Sequence, residues 1–351
     1  MRNLILFLIV VLLFAGCREE VNIKQNIDNI FSEFNDTTPG ASVAVVKDNE
    51  VIYQRAFGLS DLKSKKKNQP KTNFRLASIT KQFTALSIMM LEDENKLSFQ
   101  DPLQKFFRDF PSYTSQITIK NILQHTSGLL AYEDHMSDTL TVQLKDKDVL
   151  EILMKQDSLY FPPGTQHRYS NSGYAILAMI VEKVSGKTFA QFLHDRIFSP
   201  LDMNNSVAFE KDISTVNNRA YGYAKTDSGF VFTDQSLTSA VLGDGGIYSS
   251  TIDLIKWDRG IDNAVLLNRG KLGKAFEMAA LPSGEIVDYG FGWRLDPYKE
   301  FVRHYHTGGT SGFSNIYMKL PKFDLTIIVL INIIDYDAKG YAEKIADLFI
   351  E

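Results

Sequence analysis

The 351-residue chain has a single cysteine, Cys17, and only two tryptophans. One thiol cannot close an intrachain disulfide, so even in an oxidising compartment stability has to come from a packed core. A basic surplus is missing as well: 38 Lys and Arg stand against 42 Asp and Glu, for a formal charge of −4. That balance collects no phosphates, so nucleic acid is not an expected partner. The one basic run, Lys63-Ser64-Lys65-Lys66-Lys67, lies in a polar stretch and reads as a solvated turn. There is no internal repeat and no low-complexity linker. At 44% apolar and 23% charged residues the chain is an ordinary globular protein, with enough length for one large domain or two fused lobes.

Two hydrolase signatures are also absent. A Ser-His-Asp enzyme of the α/β-hydrolase type needs a Gly-x-Ser-x-Gly elbow, and the nearest approach, Gly309-Thr310-Ser311-Gly312-Phe313, lacks it. A metallohydrolase needs a ligand cluster, but the six histidines show no His-Glu-x-x-His spacing. His304 and His306 would point to one face of a strand, without an evident third ligand. Neither a metal nor another cofactor is expected.

What is present begins with the first sixteen residues. Arg2 precedes the apolar run 4–14, followed by Ala15, Gly16 and Cys17. The run is short for a membrane span and has the layout of a signal peptide. Its ending, Leu13-Phe14-Ala15-Gly16-Cys17, resembles a bacterial lipoprotein signal, with Phe14 where a smaller aliphatic residue is usual. The resemblance implies removal of residues 1–16, lipidation of Cys17, and a protein tethered to a membrane of the bacterial cell envelope. Residues 17–38 then form a leader and an N-terminal helix.

From 39 to 351 one domain is expected. Residues 41–60 read as two strands around Lys47-Asp48-Asn49-Glu50, a hairpin. A helical pattern starts at Ser78, with Phe83, Leu86, Met89, Met90 and Leu91 on one side. Helical runs follow at about 118–125, 147–156, 172–185 and 188–198. Strand-like runs return at 289–295, 314–320 and 325–331, the last apolar throughout as for a strand buried on both faces. A helix from Ala338 to Phe349 closes the chain. The expected architecture is α/β of the α+β kind: one antiparallel sheet built from both chain ends, flanked by helices, with a helical lobe over about 95–240. An active site is expected at the junction of sheet and lobe.

Three segments there carry chemistry. Ser78 and Lys81 lie one helical turn apart, so the lysine amine can reach the serine hydroxyl. A serine needs such a base, and burial disfavours the charged form of an amine. Tyr169-Ser170-Asn171 sits on a loop entering a helix, and offers a phenol that relays protons beside an amide that both donates and accepts. His306-Thr307-Gly308-Gly309 lies on an expected strand whose glycines allow a substrate backbone to approach. His125 and Ser127 are a tempting second pair, but their place in a helix-ending turn points to a structural role.

In this order and spacing the segments resemble the penicillin-recognising serine hydrolases, specifically the class C β-lactamase group with its D-peptidase and esterase relatives. Ser78 and Lys81 match its Ser-x-x-Lys, Tyr169 and Asn171 its Tyr-x-Asn, and His306-Thr307-Gly308 its Lys-Thr-Gly, with histidine for lysine. Family-like stretches accompany them over residues 40–350: Ile122 to Leu129, Phe161-Pro162-Pro163-Gly164, and Gly243 to Ser250.

The resemblance implies a β-lactamase/transpeptidase-like fold and an acyl-enzyme on Ser78, with Lys81 and Tyr169 sharing the base and acid roles. It implies an oxyanion hole from the backbone N–H groups of Ser78 and Gly309. Asn171, His306, Thr307 and Gly308 then contact a peptide, ester or β-lactam substrate. The histidine bears on which: an ordinary imidazole is mostly neutral at pH 7, so carboxylate binding is expected to be weaker than with lysine. That favours a D-amino-acid peptidase or carboxypeptidase, or an esterase. The alternatives are a true β-lactamase, and a catalytically idle cell-wall-binding lipoprotein, against which the retention of Ser78, Lys81 and Tyr169 speaks.

Overall fold

The computed structural model describes residues 22–350, so the expected signal segment and Cys17 lie outside the described residues. Helix α1 spans residues 22–30. Strands β1 (Ala41–Lys47) and β2 (Glu50–Phe57) form the expected hairpin, with the left-handed residues Asp48 and Asn49 making the turn. After α2 (Thr80–Asp93), α3 (Asp146–Met154), α4 (Asn171–Ser185) and α5 (Thr251–Asp262), the chain returns as β3 (His304–Thr310), β4 (Phe313–Leu320) and β5 (Leu325–Ile331), then α6 (Ala338–Ala346). The sheet order is β3-β4-β5-β1-β2, antiparallel throughout, so strands from both chain ends share one sheet.

Alternation along the strands divides the core in two. Val43 and Val45 of β1, Ile316 and Met318 of β4, and Ile327 and Val329 of β5 face α1 and α6, where Ile27, Phe31, Ala342 and Ile345 cover them. The intervening Ala44, Tyr317, Ile328 and Leu330 face the larger helical side. The N-terminal helix expected within 17–38 is α1, packed against the sheet because Ile27 and Phe31 have apolar surface to bury. Among the described residues no helix is long and apolar enough to cross a membrane.

Other sequence expectations shift in detail. The helix expected from Ser78 opens as a tight 3-10 turn, Ala77–Ile79, before α2. The run 188–198 divides into Phe189–Leu193 and a wider π turn, His194–Phe198. The expected helix 338–349 ends its regular part at Ala346.

The run 289–295 is not a strand. It is a tight loop in which Tyr289 bridges Arg294, and Arg294 in turn pairs with Tyr305 of β3. Gly292, at φ +80°, presses on α2 so closely that a Cβ would lie 2.6 Å from the Lys81 carbonyl oxygen. An extended strand with side chains has no room there.

Candidate active site

Ser78 sits on the turn Ala77–Ile79, directly before α2, and is partly exposed. The residue before it, Ala77, is held at φ +50°, a conformation that side chains other than glycine rarely adopt. Strand β3 pins that turn. A Cβ on Gly308 would lie 2.0 Å from the Leu76 carbonyl oxygen, so only glycine lets the strand come this close.

β3 is also the edge strand, and its alternation decides which amides are free. Tyr305 exchanges backbone hydrogen bonds with Arg294 on the outer edge, at 3.1 and 2.7 Å. In an antiparallel pair alternate residues bond the neighbouring strand, so Thr307 and Gly309 also direct their N–H and C=O groups outward, while His306 and Gly308 bond β4.

Lys81 is fully buried and makes three polar contacts. Its Nζ donates to Asn171 Oδ1 at 2.8 Å and to the Asp244 carbonyl oxygen at 2.8 Å, and lies 3.2 Å from Ser78 Oγ. Two of these partners are oxygens that can only accept. They hold Nζ from behind, so that its remaining direction faces the Ser78 hydroxyl. Asn171 opens α4, capped by the Ser170 side chain, which accepts from Gly173 N–H. Its Nδ2 donates to Glu133 Oε1 at 2.8 Å, so the whole Asn171 amide bridges Lys81 and Glu133 rather than pointing free.

Tyr169 comes to the same place. Its ring centroid is 4.9 Å from Lys81 Nζ, and its buried hydroxyl has no hydrogen-bond partner among the described residues. His306 differs from the substrate-contacting role that the sequence implies for it. Its ring is fully buried, Nε2 meets Tyr289 Oη at 2.9 Å, and Nδ1 lies 2.6 Å from the Thr307 carbonyl oxygen. Burial, reinforced by the nearby Lys81 and Arg294 cations, pushes the imidazole well below its ordinary pKa and keeps it neutral. On this strand the surface facing outward belongs to the backbone of Thr307 and Gly309. His304 turns elsewhere and stacks on Phe276 at 4.2 Å, so the two histidines form no pair.

Three site residues escaped the sequence. Asp244 lies in the family-like stretch 243–250 but gave no separate signal; its carbonyl holds Lys81 and its carboxylate accepts from Tyr132 Oη at 3.2 Å. Burial raises that carboxylate to about 6. Glu133 follows the family-like stretch 122–129 and is set beside Asn171 only by the fold. Arg294 was read as part of a strand. Its guanidinium stands 5.5 Å from the Tyr169 ring centroid, half-buried, and makes no hydrogen bond or ion pair with a described residue.

The comparisons bear on family and fold. The sequence matches the family described as Beta-lactamase over residues 27–348. It is 30% identical over 328 residues to penicillin-binding protein 4* of Bacillus subtilis (strain 168), covering 89% of this chain and 72% of that protein. The structure is similar to the octameric penicillin-binding protein homologue from Pyrococcus abyssi, with a TM-score of 0.80 at 26% identity over 93% of this chain and 76% of that one. It shares its fold with the D-amino acid amidase from Ochrobactrum anthropi SV3, with a TM-score of 0.79 at 21% identity over 93% and 98% of the two chains.

Proposed function

Because this chain belongs to the beta-lactamase family, we propose that it is a serine hydrolase that forms an acyl-enzyme on Ser78 and acts on D-amino-acid peptides of the cell envelope. The observation that carries the reading is the placement of Lys81, with two N–H acceptors behind it and Ser78 Oγ 3.2 Å in front. As Ser78 Oγ bonds to the substrate carbonyl carbon, its proton passes to Lys81 Nζ. The carbonyl oxygen takes the negative charge and is held by the N–H groups of Ser78 and Gly309, worth about 3 kcal/mol each in the transition state. The unpartnered Tyr169 hydroxyl is free to donate to the leaving nitrogen or oxygen. Lys81 restores the phenol proton, and water then releases the acyl group by the reverse steps.

Arg294 supports a peptide over a simple ester. Neutral His306 supplies no cation, but the uncommitted Arg294 guanidinium at the Tyr169 ring can bind a terminal carboxylate. A β-lactam carries a carboxylate too, and turnover of one is the second reading. For location, similarity to a bacterial penicillin-binding protein supports the cell envelope, and the sequence resemblance at Cys17 supports a lipid tether there.

The test is intact-mass spectrometry after incubation with a small ester, a D-Ala-D-Ala peptide and a cephalosporin, with Ser78→Ala as control. Adducts on Ser78 that turn over with peptide or ester are expected. Rapid cephalosporin turnover would make the protein a β-lactamase, and no adduct at all would point to an idle fold. Lys81→Ala should lose most acylation while remaining folded; wild-type acylation in that variant would sink the reading.

A further inference from the structure

Among the described residues no hydrogen bond fixes the Tyr169 hydroxyl, so the phenol is aimed by what holds its backbone and ring. One residue holds both the backbone and the ring. Arg168 N–H donates to the His125 carbonyl oxygen at 2.9 Å, and Ser170 N–H donates to His125 Nδ1 at 3.1 Å. The chain is thus fastened immediately before and immediately after Tyr169 by a single histidine. The His125 ring also packs on the Tyr169 ring, with centroids 4.4 Å apart.

His125 is itself tightly fixed. It is fully buried, stands at φ +57° at the end of the helical turn Ile119–Leu123, and packs against Tyr174 and Tyr289 at 5.1 and 4.4 Å. Because a backbone N–H donates to Nδ1, that nitrogen carries no proton, and the ring is the neutral tautomer protonated on Nε2. Burial pushes its pKa well below the ordinary value, which agrees with that state.

We infer that His125 is a positioning residue for Tyr169: its carbonyl, Nδ1 and ring together set the angle at which the phenol meets Ser78 and Lys81. The inference rests on the reading of Tyr169 as the proton donor. Since Ser170 caps α4, the same clamp also sets the first residue of that helix, Asn171. Misplacement of a catalytic group by about 1 Å costs on the order of 100-fold in rate, which is the scale at stake.

The experiment uses the full-length chain and p-nitrophenyl acetate, with thermal melting as a check on folding. His125→Leu removes the acceptor, and kcat should fall about 100-fold with KM nearly unchanged. His125→Asn keeps an oxygen near the Nδ1 position and tolerates positive φ, so it should recover to within about 5-fold of wild type. If the leucine variant does not fold, His125→Gly, which also accepts this φ, replaces it. In a Tyr169→Phe background the loss of His125 should cost less than about 2-fold more, since coupled residues are not additive. A His125 variant lacking the acceptor but with wild-type kcat, or with the same loss in both backgrounds, would overturn the inference. Wild-type kcat in Tyr169→Phe alone would overturn the reading of Tyr169 and the inference with it, a result distinct from failure of the clamp only.

Discussion

Asn171 Oδ1 accepts from Lys81 Nζ at 2.8 Å, while the nitrogen of the same amide is turned away to Glu133. An amide serves here because it accepts on one side and donates on the other without adding charge. Asn171→Asp would place a carboxylate beside Lys81, hold the lysine in its charged form, and face Glu133 with a like charge. Acylation by p-nitrophenyl acetate in stopped flow should fall about 100-fold, and by less in Asn171→Ala. An aspartate variant faster than the alanine variant would contradict the need for an uncharged acceptor beside Lys81.

Arg294 should discriminate between substrates. Arg294→Gln is expected to raise KM for a D-Ala-D-Ala peptide by about 10-fold or more, the scale of one charge-assisted contact, and to leave KM for p-nitrophenyl acetate within about 2-fold. Equal effects on both would show that the guanidinium supports the site rather than binding a carboxylate.

Restoring the usual lysine at the third motif should not help. His306→Lys would bury an ammonium near Lys81 and Arg294 and remove the bond to Tyr289. A loss of roughly 3 kcal/mol or more in urea unfolding is expected. A variant as stable as wild type would mean that the strand can turn this side chain into the cleft.

Glycines 308 and 309 should behave oppositely in stability. A Cβ at Gly308 meets the Leu76 carbonyl oxygen at 2.0 Å, whereas one at Gly309 meets nothing within 4 Å. Gly308→Ala should lower stability by about 2 kcal/mol or more through the forced shift of the Ser78 turn, and Gly309→Ala by less than about 0.5 kcal/mol. Calorimetry of the two variants decides it.

Two buried carboxylates link stability to pH. Asp146 accepts from Leu242 N–H and Gly243 N–H, both at 2.9 Å, and so holds the turn whose next carbonyl, that of Asp244, receives Lys81. Burial raises Asp146 to about 7 and Asp244 to about 6. Below about 4 both folded and unfolded chains are protonated; above that only the folded chain keeps these protons. Their contribution therefore falls as pH rises from about 4, to about 6 for Asp244 and about 7 for Asp146. Urea midpoints at pH 5 and pH 8 should show this decline in wild type and a smaller one in Asp146→Asn. An unchanged slope in the variant would assign the effect elsewhere.

How much could be read beforehand depended on the range of the interaction. Strands 314–320 and 325–331 showed through apolar content and alternation, and Ser78 and Lys81 through a spacing of one helical turn, because such patterns are written in neighbouring residues. The run 289–295 misled because its aromatic and apolar residues suit a strand, while the glycines at 290 and 292 bend it against α2 and the preceding chain. Glu133 and Arg294 had no local signal, and Asp244 had none of its own within the family-like stretch 243–250. Each enters the site from a segment distant in sequence, at 38 residues from Asn171 for Glu133 and 163 from Lys81 for Asp244.

The sequence by itself determined the one-turn spacing of Ser78 and Lys81, the alternation that buries one sheet on both faces, and the composition that requires a large packed core. Only the tertiary structure decided what those residues face. It turned His306 inward to Tyr289, left the Arg294 guanidinium without a hydrogen bond or ion pair to a described residue, and spanned the Asn171 amide between Lys81 and Glu133. The reason is physical: periodicity fixes which side of an element is buried, but hydrogen-bond partners and burial of charge depend on which distant elements close over it.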